Sequence, residues 1–178
     1  MSTTQKPNNI VEVGLRGTGK SAIGRRLATI TGRELFETDK MTAKLMGQSI
    51  PDAVEAHGWG YFRAHESAVL ASLEDTTDAI ISTGGGIVTI PENIPPLRNL
   101  GFVAWLHAPA DVLERRITND PNRPKLTSET TLLSELTVLE QQRTRLYLDV
   151  MDVRIDTERN SINQAATLIL YLMDKTPY

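Results

Sequence analysis

The sequence predicts an α/β fold, a three-layer α/β/α sandwich on a five-stranded parallel sheet. Short apolar segments with strand character alternate with longer helical segments along the chain, and this alternation is typical of parallel sheets with crossover helices. A glycine-rich turn follows the first strand directly and opens the first helix. The length of 178 residues predicts one domain spanning residues 1–178.

The individual elements follow from local signals. A strand at 10–13 leads through the glycine turn to a helix at 20–31, which ends at Gly32 because glycine readily closes a helix. Proline favours the first turn of a helix, and a serine followed three residues later by glutamine forms a capping box. These signals predict further strands at 34–38, 79–82, 102–106 and 153–156 and further helices at 41–46, 51–74, 109–118, 132–149 and 161–173. Residues 119–130 contain two prolines and no periodicity, which indicates a mobile loop.

Composition excludes several classes of function. The net charge of −3 argues against a nucleic-acid partner, since such proteins usually carry a basic excess. The chain has no cysteine, so disulfides and thiolate metal sites are excluded. The first nine residues are polar, and no apolar run approaches the roughly 18 residues that a membrane helix needs. We therefore expect a cytoplasmic protein with no membrane partner.

Residues 14–21 match the pattern G-x-x-x-x-G-K-[ST]. Glycines allow the backbone to wrap a phosphate, and the amides of the following helix start add positive charge. Lys20 is expected to bridge the β- and γ-phosphates and Ser21 to ligate Mg²⁺. The sequence therefore predicts a nucleotide site, with ATP favoured over GTP because no N-K-x-D-like motif is present, formed by Gly17, Thr18, Gly19, Lys20, Ser21 and Ala22. An ordinary glycine-rich turn is the alternative.

Glu37 and Asp39 follow the second predicted strand. The carboxyl ends of parallel strands form the edge at which ligands bind. Two carboxylates there suggest contact with metal-bound water and activation of a hydroxyl. The alternative is that Asp39 caps a helix while Glu37 is solvated.

Two arginines are candidate anion ligands. Arg143 interrupts an apolar stripe on the predicted helix 132–149, and a guanidinium on a core-facing stripe needs an anionic partner. That partner is either an internal carboxylate or the carboxylate of a substrate. Arg63 has a plainer alternative, an ion pair with Glu66 three residues later.

Glycines and a loop arginine complete the candidate site. Gly84, Gly85 and Gly86 follow a strand and would allow a ligand to approach the backbone closely. Arg123 lies in the predicted loop, where it would close over the phosphates and stabilise the transferred charge, unless it is simply solvated.

Taken together, these motifs resemble those of the shikimate kinases over most of the chain. The resemblance rests on residues 14–21, Thr38-Asp39, Phe62-Arg63-x-x-Glu66, Thr83-Gly84-Gly85-Gly86, Arg123-Pro124 and Arg143-x-x-Leu146-Tyr147. It implies a kinase fold with sheet order 2-3-1-4-5, a substrate-binding region at about 39–67 and a lid at about 119–130. It also implies transfer of the ATP γ-phosphate to the 3-hydroxyl of shikimate, and a monomer.

The resemblance assigns roles to single residues. It implies that Asp39 contacts the substrate hydroxyls and acts as base, that Arg63 and Arg143 bind the carboxylate, and that residues 84–86 bind the substrate. Arg123 would reach the ATP phosphates, Arg116 would lie beside the adenine, and Glu37 would contact magnesium through water.

Three positions depart from the family pattern. Glu37 replaces the usual first Asp of D-[ST]-D, Lys125 replaces a usual Leu, and Arg16 occupies a variable position from which it could face the substrate anion. Two alternatives therefore stay open. One is a related small-metabolite kinase such as a gluconate kinase-like enzyme, and the other is a kinase-like binding protein that uses nucleotide as a switch.

Overall fold

The computed structural model describes residues 7–117 and 131–176. Its parallel strands are β1 (Ile10–Val13), β2 (Glu34–Glu37), β3 (Ala79–Ser82), β4 (Phe102–His107) and β5 (Val153–Asp156). They form one sheet in the order β2-β3-β1-β4-β5, which confirms the predicted topology. Because every strand runs the same way, all the carboxyl ends lie along one edge.

Helices cover both faces of this sheet. Within the described residues they are α1 (Lys20–Thr31), α2 (Thr38–Met46), α3 (Ile50–Ser72), α4 (Ile94–Asn99), α5 (Ala110–Ile117), α6 (Leu132–Val150) and α7 (Ile162–Lys175). One face packs Ile10 and Phe102 against apolar side chains of α1 and α7. The other packs Val11 and Val103 against α3, α4, α5 and α6. These two cores make the predicted three layers.

Most predicted boundaries agree with the structure, and the capping box at Ser161 is confirmed, since its hydroxyl accepts from the amide of Gln164. The second strand was predicted one residue too long. It ends at Glu37, and α2 begins at Thr38 instead of Met41. Asp39 therefore lies in the first turn of a helix, where a carboxylate is favoured by the positive end of the helix dipole.

Two further features were not predicted. Gly58 interrupts α3 with φ 82° and ψ 171°, a conformation that glycine adopts without a Cβ clash. Residues 87–99 form two short 3₁₀ turns and α4 after β3, and three prolines in this stretch obscure helical periodicity.

Within residues 7–117 and 131–176, no helix is both long and apolar enough to cross a bilayer. The division into one domain with a substrate-binding region at 39–67 stays a prediction. The predicted lid, 119–130, lies outside the described residues.

Candidate active site

A cleft of about 720 Å³ opens at the carboxyl edge of the sheet. Nearly all of the described residues predicted for the site line it, namely Gly17, Gly19, Lys20, Ser21, Ala22, Glu37, Asp39, Arg63, Gly84, Gly85, Gly86, Arg116 and Arg143. They come from six separate stretches of chain that the parallel topology brings to one edge. Thr18, which lies in the same stretch 17–22, is buried. Arg123 lies outside the described residues.

The phosphate loop, residues 14–21, has the backbone that its glycines predict. Gly17 and Gly19 have φ values of 81° and 94°, in the left-handed region that side chains disfavour. A Cβ added to Gly14 would lie 2.2 Å from the carbonyl oxygen of Leu106, so a larger residue would push the loop away from β4. The loop shape therefore depends on glycine at these positions.

Lys20 begins α1 and folds back over the loop. Its ammonium donates to the carbonyl oxygens of Gly14 and Leu15, both at 2.8 Å. The Thr18 hydroxyl also donates to Leu15, at 2.8 Å. The Lys20 side chain thus lines the cleft beside the loop where the pattern predicts phosphate.

Glu37 and Ser21 lie side by side at the β2 end of the cleft. Burial works to raise the pKa of Glu37, but the Lys40 and Ser21 side chains, with Arg25, outweigh it and lower that pKa. Glu37 is therefore anionic at neutral pH beside a hydroxyl. Within the described residues no cluster of three His, Asp or Glu side chains could hold a metal.

Asp39 and Glu66 face each other across Gly84. A Cβ added to Gly84 would lie 2.5 Å from Asp39 Oδ1 and 2.4 Å from Glu66 Oε1. Burial raises the pKa of Glu66 and the charge of Asp39 raises it further, while Arg63 and Arg143 oppose this change. Asp39 is the accessible carboxylate of this pair, since Glu66 is fully buried.

The structure confirms the plainer interpretation of Arg63, and its role as an anion ligand stays a prediction. Arg63 forms an ion pair with Glu66, as the plainer alternative predicted, and it also lines the cleft. Its guanidinium lies 5.4 Å from the ring centre of Trp59 and 5.0 Å from that of Phe62. A Cβ on Gly86 would lie only 2.0 Å from Arg63 Nη2, so the missing side chain at Gly86 leaves the space that the guanidinium fills.

Among residues 7–117 and 131–176, Arg143 contacts a backbone carbonyl and forms no ion pair with a carboxylate. Its Nη1 donates to the carbonyl oxygen of Gly85 at 3.0 Å, and the Tyr147 hydroxyl donates to the same oxygen at 2.6 Å. Burial lowers the pKa of Arg143 and raises that of Tyr147 to about 12, so the phenol is neutral at physiological pH. Binding of a substrate carboxylate by Arg143 stays a prediction.

Arg116 reaches the other end of the phosphate loop from α5. It donates to the carbonyl oxygen of Gly17 at 3.3 Å and to the backbone and side chain of Thr157, at 2.6 and 3.1 Å. The guanidinium therefore lies between the phosphate loop and the end of β5 and is hydrogen-bonded to both, forming one wall of the cleft. This wall lies beside the predicted nucleotide site, on the side away from Asp39.

Sequence reasoning assigned no role to several residues of this region. Trp59 lines the cleft, and the Tyr147 hydroxyl donates a hydrogen bond to the Gly85 carbonyl. Glu12 lies wholly buried under the cleft, and burial raises the pKa of its carboxyl well above the usual value. An acid inside an otherwise apolar strand was the signal for Glu12, and Tyr147 belongs to the Arg143-x-x-Leu146-Tyr147 motif, which indicated its place but not its contact with Gly85.

Comparison with known proteins places these features in a family. The family model for shikimate kinase matches residues 16–174. A shikimate kinase from Syntrophus aciditrophicus is 36% identical, covering 94% of this chain and 92% of that protein, and one from Xanthomonas axonopodis pv. citri is 39% identical, covering 92% and 91%. The solved shikimate kinase from Acinetobacter baumannii in complex with shikimate superposes with a TM-score of 0.89 at 33% identity, covering 96% and 94%.

Proposed function

The chain belongs to the shikimate kinase family, and from that premise we propose that it phosphorylates the 3-hydroxyl of shikimate with ATP. The products are shikimate 3-phosphate and ADP. The observation that carries the proposal is that one cleft is lined by phosphate-loop residues, by two arginines suited to a carboxylate, and by Asp39.

The phosphate loop binds the donor. Backbone amides from Gly17 to Ser21 face the β-phosphate, and α1 adds the positive end of its dipole. Lys20 exchanges its carbonyl partners, Gly14 and Leu15, for phosphate oxygens. Arg116, held by Thr157, forms the wall on the nucleotide side. These residues hold the γ-phosphate pointing toward Asp39.

The two arginines bind the acceptor through its carboxylate. Arg63 is held by Glu66 and Arg143 by the Gly85 carbonyl, so neither guanidinium has to be ordered when the acid arrives. A carboxylate between them forms charge-assisted hydrogen bonds. Such preorganisation reduces the entropy lost on binding.

Asp39 acts on the acceptor hydroxyl. It accepts the 3-hydroxyl proton as that oxygen attacks the γ-phosphorus, while the bond between phosphorus and the β–γ bridging oxygen breaks. Lys20 and Arg123 offset the negative charge on the transferred phosphoryl group. Catalysis depends mainly on positioning and electrostatics in this class of reaction.

Ser21 and Glu37 are suited to hold Mg²⁺, since both offer oxygen atoms and Glu37 is anionic. When bound with ATP, the metal neutralises charge on the β- and γ-phosphates. Replacement of the usual Asp by Glu37 lengthens the side chain by one methylene and keeps its charge. We also propose that the protein acts in the cytoplasm as a monomer, with no membrane or nucleic-acid partner.

An acceptor panel tests this function. ADP formation from ATP and Mg²⁺ is measured with shikimate, with gluconate and with no acceptor, and the phosphorylated product is identified by NMR. We expect shikimate alone to stimulate turnover and the phosphate to appear on the 3-oxygen. Lys20→Met provides the inactive control. Preference for gluconate would assign a related kinase, and nucleotide binding without turnover would favour the switch protein.

A further inference from the structure

Arg16 extends from the phosphate loop to the first turn of α6, where its guanidinium forms an ion pair with Glu135. Both side chains are largely enclosed, with exposures of 15% for Arg16 and 4% for Glu135. The two residues are 119 positions apart in the chain. An enclosed pair across such a separation fixes the relative position of two elements.

The same helix meets the loop at a second point. A Cβ on Gly85 would lie 3.1 Å from the Gly14 oxygen and 3.4 Å from the Arg16 nitrogen, so the backbone at Gly85 rests on the phosphate loop. The Gly85 oxygen in turn accepts hydrogen bonds from Arg143 and Tyr147 of α6.

These contacts form a closed circuit. It runs from Glu135 through Arg16 to the phosphate loop, then through Gly85 to Arg143, which lies on the same helix as Glu135. Glu135 and Arg143 are eight positions apart on the helix, about 12 Å along the axis. Leu139, midway between them, lines the cleft. Helix α6 is therefore connected to the phosphate loop at two points, one on either side of Leu139.

We propose that the Arg16–Glu135 pair positions the phosphate loop relative to Arg143, and so sets the γ-phosphate in line with the acceptor hydroxyl. This inference rests on the proposed function. Arg16 and Glu135 are positioning residues in this role, because they act through the loop and the helix. Arg16 was expected to face the substrate anion; it lines the cleft and forms an ion pair with the Glu135 carboxylate, and contact with the anion stays a prediction.

Positioning has a distinct kinetic signature. Each substrate binds to its own half of the cleft, so loss of the pair leaves separate binding of shikimate and of Mg²⁺-ADP nearly unchanged. The reacting atoms are then misaligned, and a displacement of about 1 Å lowers kcat by up to roughly 100-fold. An arginine that bound the acceptor directly would instead weaken shikimate binding.

A double-mutant cycle tests the inference, with Arg16→Met, Glu135→Met and the double variant. We expect each single variant to lower kcat at least about tenfold, with the double variant no lower than the worse single one. Dissociation constants for shikimate alone and for Mg²⁺-ADP alone should change by less than about threefold. Arg16→Lys should retain most of kcat, since it keeps a cation facing Glu135.

Arg145→Met is the matched control, because Arg145 lies on α6, is exposed and pairs with Asp149 away from the cleft. Its kcat should equal that of the wild type. Melting temperatures are measured for every variant. If a single variant folds poorly, the double variant (Arg16→Met with Glu135→Met) and Arg16→Lys still test the inference.

Three results would overturn the inference while the wild type remains active. They are additive losses in the cycle, a fall in melting temperature with kcat unchanged, and weaker shikimate binding in Arg16→Met with normal behaviour of Glu135→Met. A wild-type chain that does not phosphorylate shikimate would instead overturn the proposed function, and this inference with it.

Discussion

Gly86→Ala should displace Arg63 without disturbing the fold. A Cβ at this position would lie 2.0, 2.3 and 2.4 Å from Arg63 Nη2, Cζ and Nη1. Nonbonded carbon contacts lie near 3.5 to 4.0 Å, so the guanidinium must retreat by about 1.5 Å. Gly86 itself has φ −99° and ψ 0°, which alanine can adopt. The strain therefore falls on the end of a flexible side chain.

The size of the effect follows from the bond that is lost. A charge-assisted hydrogen bond to a carboxylate is about 2.8 Å long, so a retreat of that size breaks it. Such bonds contribute about 1.5–3 kcal/mol, which corresponds to a roughly 10- to 150-fold rise in KM for shikimate. The KM for ATP should stay nearly constant because the three atoms nearest to the added Cβ all belong to Arg63.

Steady-state kinetics in both substrates provides the assay, with melting temperature measured in parallel. Gly60→Ala is the matched control, since a Cβ on Gly60 meets nothing within 4 Å and alanine favours its helix. An unchanged KM for shikimate in Gly86→Ala would refute the role of Arg63. Equal rises in both KM values would refute it as well.

Three further substitutions test other parts of the site. Asp39→Asn should lower kcat by about 10²–10⁴-fold, the usual contribution of a general base, with Mg²⁺-ADP binding retained in a titration; an unchanged kcat would remove Asp39 from the mechanism. Glu12→Gln should raise the melting temperature at pH 8 relative to the wild type and have little effect at pH 4. The reason is that the pKa of Glu12 is raised in the folded state, so the wild type loses folding stability as the pH rises above the ordinary glutamate pKa, and glutamine avoids this loss. Calorimetry at both pH values measures the two melting temperatures. An equal shift at both pH values would contradict the reasoning. Tyr147→Phe should cost about 1 kcal/mol of stability by removing the hydroxyl that donates to Gly85, and urea denaturation giving no loss would contradict that.

Sequence patterns predicted the parts of this molecule that depend on local chemistry. The phosphate loop, the cap at Ser161 and the strand bounds at 79–82 and 153–156 depend on residues close together in the chain, and the structure agrees with them. Arg143 was singled out because a charge interrupted an apolar stripe. That observation indicated an unusual partner and did not reveal which one.

Features that depend on distant contacts were not predictable in the same way. The partner of Arg143 is a carbonyl 58 positions away, and the partner of Arg16 lies 119 positions away. No periodicity indicates such pairs, because they are set by how helices pack on the sheet. Gly58 shows the same limit locally, since a glycine in a helical pattern does not reveal its own φ.

Recognition of a carboxylate by Arg63 and Arg143 is the central claim, and one comparison of acceptors tests it most directly. The wild-type kcat/KM is measured for shikimate and for shikimamide, in which a neutral carboxamide of similar shape replaces the carboxylate. We predict that the amide is a poorer acceptor by at least about 100-fold, because two charge-assisted contacts are lost. Similar kcat/KM values for the acid and the amide would contradict the claim.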